Sequence, residues 1–240
     1  MKSGILDIGN SSVKWALFEG DDLLESGVCT YGEWEKLRQL HTHHAPISWF
    51  MSSVQQVPST AELGFKCEEL DLNHALPVTI LYQTPSTLGK DRIAGICGAR
   101  HLFPNQACLV IDAGTCITFD LVDAEGNYPG GSISPGIQMR LKAMHEQTGR
   151  LPLLDWEDPD GFIGDSTKMS MLQGVKQGVL GECERQIRLY KERYPSLQIL
   201  ITGGDCSFFE INLKMDIFAA PNLVLTGLNT ILHYKKSLDA

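Results

Sequence analysis

The stretch GILDIGNSSVKWALFE, residues 4–19, sets the architecture. Gly4–Asp7 and Val13–Glu19 are apolar runs of strand length, and Gly9-Asn10 between them is a turn pair, so the stretch predicts a hairpin. The same grammar returns in CLVIDAGTCITFDLV, residues 108–122. Cys108–Ile111 reads as a short buried strand, Asp112-Ala113-Gly114-Thr115 as its turn, and Thr118–Val122 as the return strand, followed by a turn over Asp123–Asn127. In both places Asp-x-Gly follows an apolar strand and precedes a hydroxyl-bearing stretch, a second strand and a glycine turn, at Gly20 and Gly126. Two such hairpins near the starts of two halves predict a duplicated unit. The halves are expected at residues 1–107 and 108–240, with a last helix able to pack back across them.

Between and beyond the hairpins, strand and helix signals alternate. The spacing predicts a helix over Tyr31–His41, then a strand near Ile47–Met51 closed by a Ser-Ser turn. Ile93, Ile96, Cys97, Ala99 and Leu102 fall at helical intervals, so Asp91–Phe103 reads as a helix that Pro104 ends. Gly136–Glu146 and Met169–Tyr194 are further helices, Gln198–Thr202 is a buried strand running into a Gly-Gly turn, and Leu225–Tyr234 is a last helix. Alternation with hairpins among it predicts an α/β chain of mixed central sheets flanked by helices.

Of the 240 residues, 43% are hydrophobic and 20% charged, the balance of a globular chain whose length suits two modest halves. A formal net charge of −9 argues against a nucleic-acid binder, which must neutralise phosphates with Lys and Arg. It permits a nucleotide held by backbone N–H groups and a metal ion. No apolar run approaches the roughly 20 residues that span a bilayer, and the opening MKSGILDIGN lacks the features of a secretion signal. No membrane association and a cytoplasmic location are therefore expected. The seven cysteines include no C-x-x-C pair, which leaves zinc and redox motifs unsupported. Cys97, Cys108, Cys116 and Cys183 are expected as buried small hydrophobes.

Glycine in each turn lets the backbone approach a ligand closely, and successive N–H groups then favour an anion such as a triphosphate. Asn10, Ser11, Ser12, Thr115 and Thr118 add neutral donors, and Lys14 adds a positive charge. Asp7 and Asp112 would repel phosphate directly, so their role is to hold a cation that bridges to it. Two such hairpins gripping the β- and γ-phosphates supply the positioning and electrostatics that phosphoryl transfer needs. Neither hairpin carries the P-loop pattern, and there is no G-x-G-x-x-G. Gly89-Lys90-Asp91-Arg92 precedes a helix and joins a proton acceptor to a fixed cation, as transfer to an alcohol requires. Gly130-Gly131-Ser132-Ile133-Ser134-Pro135-Gly136 reads as a glycine approach to a helix N-terminus suited to anion or hydroxyl contact. Thr202-Gly203-Gly204-Asp205 either packs on an adenosine or enters a helix with Asp205 as N-cap.

With these residues in line, the chain resembles the type III pantothenate kinases of the actin and sugar-kinase superfamily. Asp7-Ile8-Gly9-Asn10-Ser11 is similar to the family's D-x-G-N-T, and Gly89-Lys90-Asp91-Arg92 to its G-x-D-R. Asp112 to Thr115 matches D-x-G-T, Gly130 to Gly136 matches G-G-x-I-x-P-G, Gly164 to Thr167 resembles G-x-x-T, and Thr202 to Gly204 resembles T-G-G. Six motifs in family order span nearly the whole chain.

The resemblance implies duplicated actin-like ATPase halves, ribonuclease H-like in fold. It implies a kinase that uses ATP with Mg2+ and a monovalent cation (K+ or NH4+) to phosphorylate the primary hydroxyl of pantothenate, the first step towards coenzyme A. Asp91 would be the proton acceptor. Tyr82, Gly89, Lys90, Asp91, Arg92 and Thr167 would contact pantothenate, Thr167 from the partner subunit of a homodimer with composite sites. Asp7, Ile8, Gly9, Asn10, Ser11, Ser12, Val13 and Lys14 would form the ATP phosphate loop, with Asp7 near the magnesium. Thr115 would touch ATP, and Asp112 would ligate the monovalent cation. Ser11 stands where the family usually has Thr, and Lys90 where a smaller residue is usual. A sugar kinase of the same superfamily would lack G-x-D-R between the hairpins, and a catalytically silent ATP-binding regulator would have no use for Asp91.

Overall fold

The first hairpin forms as its apolar spacing requires: β1 (Lys2–Ile8) pairs antiparallel with β2 (Val13–Glu19), placing Asp7 opposite Lys14. The computed structural model describes residues 2–45, 47–71, 73 and 75–238. It resolves two compact units. One takes the described parts of Met1–Asn105, Ala124–Pro129 and Asn222–Ala240, the other Gln106–Asp123 and Gly130–Pro221.

In the first unit, β3 (Asp22–Cys29) extends the hairpin, α1 (Glu35–His44) crosses over, and β4 (Ser48–Ser53) returns parallel to β1. After α2 (Thr60–Leu63), β5 (Cys67–Glu69) completes a mixed sheet in the order β3-β2-β1-β4-β5. Alternation along the strands gives this sheet two apolar faces. Leu6, Ile8, Val13, Trp15, Leu17, Trp49 and Met51 bury against Trp34, Leu37 and Leu40 on the α1 side. Helix α1 starts at Glu35 rather than Tyr31, because Gly32 adopts a φ of +94° that breaks a helix. The edge strand β3 escapes a reading by pattern because it is almost wholly exposed.

Next come β6 (Thr79–Ile80) and α3 (Lys90–Leu102), which ends near Pro104 as expected. In the second unit β7 (Cys108–Ala113) and β8 (Cys116–Val122) form the echoed hairpin. The chain then visits the first unit with β9 (Asn127–Tyr128), which pairs parallel with β6. Returning, β10 (Gly130–Pro135) pairs antiparallel with β8. Helices α4 (Ile137–Glu146) and α5 (Thr167–Arg193) follow, then β11 (Gln198–Thr202), α6 (Cys206–Asn212) and β12 (Phe218–Ala219). The second sheet has the order β10-β8-β7-β11-β12, again mixed. Leu109, Ile111, Ile117, Phe119 and Ile201 on one of its faces bury against α4, α5 and α6 through Leu141, Leu172, Val179 and Phe209.

The last helix, α7 (Leu223–Leu238), packs in the first unit against α3 and the free face of that unit's sheet. Ser3 Oγ donates to Asn229 Oδ1 at 2.5 Å, and Asn229 Nδ2 donates to the Gly20 carbonyl at 2.9 Å, tying α7 to the sheet. The helices cross at glycines: a Cβ on Gly227 would overlap the Ala94 carbonyl, and one on Gly98 would meet the Leu223 carbonyl at 2.5 Å. No cysteine forms a disulfide among the described residues. Cys97, Cys108 and Cys183 are buried as expected, but Cys116 is only half-buried, because it starts β8 at the turn. Among the described residues no helix is long and apolar enough to cross a membrane.

Candidate functional site

Asp7 sits one residue from the end of β1, flanked across the sheet by Lys14 on β2 and Ser52 on β4. Ser52 Oγ donates to Asp7 Oδ1 at 2.8 Å. Burial pushes the Asp7 carboxyl above the ordinary carboxylate range, the Ser52 hydrogen bond pulls it back, the Asp91 carboxylate pushes it up again, and Lys14 opposes. Beyond it the turn closes with Gly9 N–H donating to the Ser12 carbonyl at 3.0 Å. Gln55 Nε2 holds the Gly9 and Asn10 carbonyls at 2.6 and 3.3 Å. Ile8 and Val13 are buried under the turn, whereas Asn10 and Ser11 are exposed above it. The hydroxyl and amide groups proposed for phosphate are thus presented outward on an anchored base.

A raised carboxyl pKa has a definite consequence for stability. Between the unfolded value of about 4 and the higher folded value, the native state binds more protons than the unfolded one, so stability falls as pH rises through that window. Asp7→Asn keeps the Ser52 bond and removes the charge. The ligand-free variant is expected to melt a few degrees above wild type at neutral pH, with the gap closing near pH 4. Thermal melts across that range check it, and a lower melting point at neutral pH would show that the fold relies on the ionised form.

The second group in this unit gathers around the start of α3. Asp91 lies in the helix's first turn, and its Oδ1 accepts the Arg92 N–H at 2.8 Å. Gly89 leaves room for the Asp91 carboxylate: a Cβ there would run into Asp91 Oδ1 and push that side chain from its place. Arg92 is only 8% exposed, and its guanidinium carbon lies 5.8 Å from the centroid of the Tyr82 ring. Tyr82 in turn stacks on Tyr128, centroids 6.1 Å apart at 17°. Main-chain bonds fix that stack, Leu81 N–H to the Tyr128 carbonyl and Thr79 N–H to the Gly126 carbonyl, each 2.9 Å. Lys90 pairs with Glu69. Asp7, Asp91, Lys14 and the Tyr82–Arg92 pair therefore belong to one unit, the two carboxylates close enough to influence each other.

In the second unit three glycine motifs meet on the turn after β7. Gly114 N–H donates to the Cys116 carbonyl at 2.9 Å, and Gly136 N–H to the Thr115 carbonyl at 3.1 Å. A Cβ on Gly136 would overlap the Gly114 carbonyl, and one on Gly203, whose φ is +96°, would overlap the Ala113 carbonyl. Asp205 N–H also bonds the Ala113 carbonyl, at 2.9 Å. Asp205 stands at the N-cap of α6 but makes no side-chain cap bond. The paired glycines at 130 and 131 lie within β10, where Gly131 clears the Phe119 carbonyl of β8; they serve sheet pairing, and Gly136 alone is the helix approach.

Asp112, like Asp7, is flanked in register, here by Thr118 on β8 and Thr202 on β11. Thr118 Oγ1 is buried with no hydrogen-bond partner. Thr115 is exposed on the turn. Thr167 begins α5 and is exposed, with Ser166 capping the helix by accepting the Met169 N–H at 3.3 Å. Ser52, Gln55 and Tyr128 were not singled out from sequence: each acts through strand neighbours distant along the chain, and only the Ser-Ser turn hinted at the first.

Among the described residues no cluster of three or more His, Cys, Asp or Glu could cage a metal ion. Magnesium suits such a site, since it takes one or two carboxylates and fills its shell with phosphate and water oxygens; Asp7 fits that role. A carboxylate beside a buried, unpartnered hydroxyl, as at Asp112 and Thr118, fits a monovalent cation.

A family profile described as type III pantothenate kinase matches residues 5–189. A type III pantothenate kinase of Bacteroides fragilis is 40% identical over 235 residues, covering 96% of this chain and 97% of that one. A Campylobacter jejuni structure named for the Baf family of transcriptional activators superposes with a TM-score of 0.60 at 20% identity, covering 98% and 99% of the two chains. The activator of 2-hydroxyisocaproyl-CoA dehydratase from Clostridium difficile, solved with ADPNP, gives 0.55 at 12% identity and covers 100% and 97%. The fold is that of the actin-like ATPases and sugar kinases.

Proposed function

The chain belongs to the type III pantothenate kinase family, and from that membership we propose that it transfers the γ-phosphoryl group of ATP to the primary hydroxyl of pantothenate, opening coenzyme A synthesis. The observation that carries the mechanism is Asp91 at the head of α3, beside the Tyr82–Arg92 pair and within electrostatic reach of Asp7. Asp91 Oδ1 is engaged by the Arg92 amide, so Oδ2 accepts the proton of the attacking alcohol. Arg92, held by Tyr82, offers a fixed cation to a substrate that carries a carboxylate. Asp7 to Lys14 cradle the phosphates, Thr115 contacts ATP, and Asp112 holds the monovalent cation. Asp7 would hold magnesium, which would supply charge neutralisation at the phosphoryl group when bound.

Thr167 contributes to pantothenate binding across a homodimer. Its approach segment carries Phe162 and Ile163 at 75% and 73% exposure, apolar surface that a second copy would cover. We infer a cytoplasmic location, in keeping with ATP as its phosphoryl donor.

A coupled ADP-release assay across acceptors tests the reading. Pantothenate should raise ADP release at least about a hundredfold over water alone, since a positioned alcohol and base are worth that much. Release driven by a hexose and not by pantothenate would transfer the chain to the sugar kinases.

A further inference from the structure

The two hairpins repeat down to their flanking residues. In the first sheet the row across β2, β1 and β4 reads Lys14, Asp7, Ser52. The row at the same place across β8, β7 and β11 of the second reads Thr118, Asp112, Thr202. Directly opposed residues share a face of the sheet, so each row lines up three side chains with the aspartate in the middle. Even the outer neighbours correspond, Val28 beside Lys14 and Ile133 beside Thr118. What differs is charge: where the first row has an ammonium, the second has a hydroxyl.

That hydroxyl is unusual. Thr118 Oγ1 is buried and makes no hydrogen bond, a condition that leaves its desolvation unrecovered unless something binds there. Thr202 is 1% exposed and uses its hydroxyl hydrogen on the Pro221 carbonyl at 3.5 Å, leaving its oxygen lone pairs available. A carboxylate and two hydroxyl oxygens in one row form a set suited to a monovalent cation, which prefers oxygen ligands.

We propose that a soluble monovalent cation occupies, in the second unit, the position that the Lys14 ammonium occupies in the first, with Thr118 Oγ1 as one of its ligands beside Asp112. The inference rests on the reading of Asp112 as the residue that holds the cation. Lys14 and Thr118 are then equivalent positions of a duplicated unit, one carrying its positive charge on the chain and the other recruiting it from solution. Thr118→Lys should make the soluble ion dispensable.

The test measures binding, not turnover. A non-hydrolysable ATP analogue with magnesium is titrated by calorimetry in K+ and in tetramethylammonium, which is too large for an oxygen cage. Wild type should bind the analogue more tightly in K+. Thr118→Val should raise the K+ concentration needed for half of that effect by about tenfold or more, a typical loss for one ion partner. Thr118→Ser, which keeps the oxygen, should restore it. Thr118→Lys should bind the analogue equally in both salts, with thermal melting to confirm that it folds.

An unchanged K+ requirement in Thr118→Val, or no rescue by serine, overturns the assignment of Thr118. A folded Thr118→Lys that still needs K+ overturns the equivalence with Lys14. If that variant does not fold, the valine and serine pair decides the question. Wild-type ADP release with pantothenate is measured alongside. Turnover of pantothenate with analogue binding indifferent to K+ sinks this inference alone, whereas no response to pantothenate sinks the assigned reaction and leaves the K+ titration valid.

Discussion

Asp91→Asn is expected to lower kcat by about a thousandfold while shifting the affinity for a non-hydrolysable ATP analogue by no more than about threefold. Asparagine has the shape of aspartate, and its Oδ1 can still accept the Arg92 N–H that aspartate accepts at 2.8 Å. The start of α3, the clearance over Gly89 and the Tyr82–Arg92 pair therefore survive the change. What disappears is the capacity of the second oxygen to take a proton, so the loss should fall on kcat and not on pantothenate KM. A second signature sets this apart from a structural defect. The Asp91 charge is one of the causes that push the Asp7 carboxyl upward, so its removal should bring Asp7 back towards the ordinary range. Steady-state kinetics with analogue calorimetry decides the matter; a variant with wild-type turnover removes Asp91 from the reaction.

Gly227→Ala should destabilise the protein by about 3 kcal/mol or more, a drop in melting temperature of roughly 10 °C for a chain of this size. The new methyl would run into the Ala94 carbonyl of α3, and backbone cannot rotate away as a side chain can. Either the helices separate or α7 shifts, and α3 carries Asp91 and Arg92 at its first turn. A fall in kcat/KM should accompany the loss of stability even at temperatures where the variant is folded. Gly181→Ala supplies the control of opposite sign. That residue lies exposed within α5 with nothing within 4 Å of an added Cβ, so alanine should stabilise by about 0.5–1 kcal/mol through helix propensity. Equal effects at both positions would mean that the crossing of α3 and α7 yields more easily than its spacing implies.

Much of the chemistry was legible because it rides on short-range order. A strand that runs into Asp-x-Gly announces itself through local rules of burial and turn formation, which is why both hairpins, α3 and the strand at 198–202 were readable. The glycine-rich run at 130–136 misled, since its glycines answer to a neighbouring strand: Gly131 exists to clear the Phe119 carbonyl. Short-range rules see a flexible approach loop there, and only the partner strand shows otherwise.

From its order of residues alone this protein determined two aspartate-marked turns, a third carboxylate at a helix start, and the alternation that makes mixed sheets. Which side chains flank those aspartates was decided by tertiary structure. Ser52 meets Asp7, and Thr202 joins Thr118 beside Asp112, through strand registers that link distant segments. Tyr128, on β9 of the same unit, reaches Tyr82 because β9 pairs with β6, far from it along the chain. The reason is physical: propensity and turn chemistry act over a few residues, whereas burial and strand pairing select partners by shape and hydrogen bonding without regard to distance along the chain.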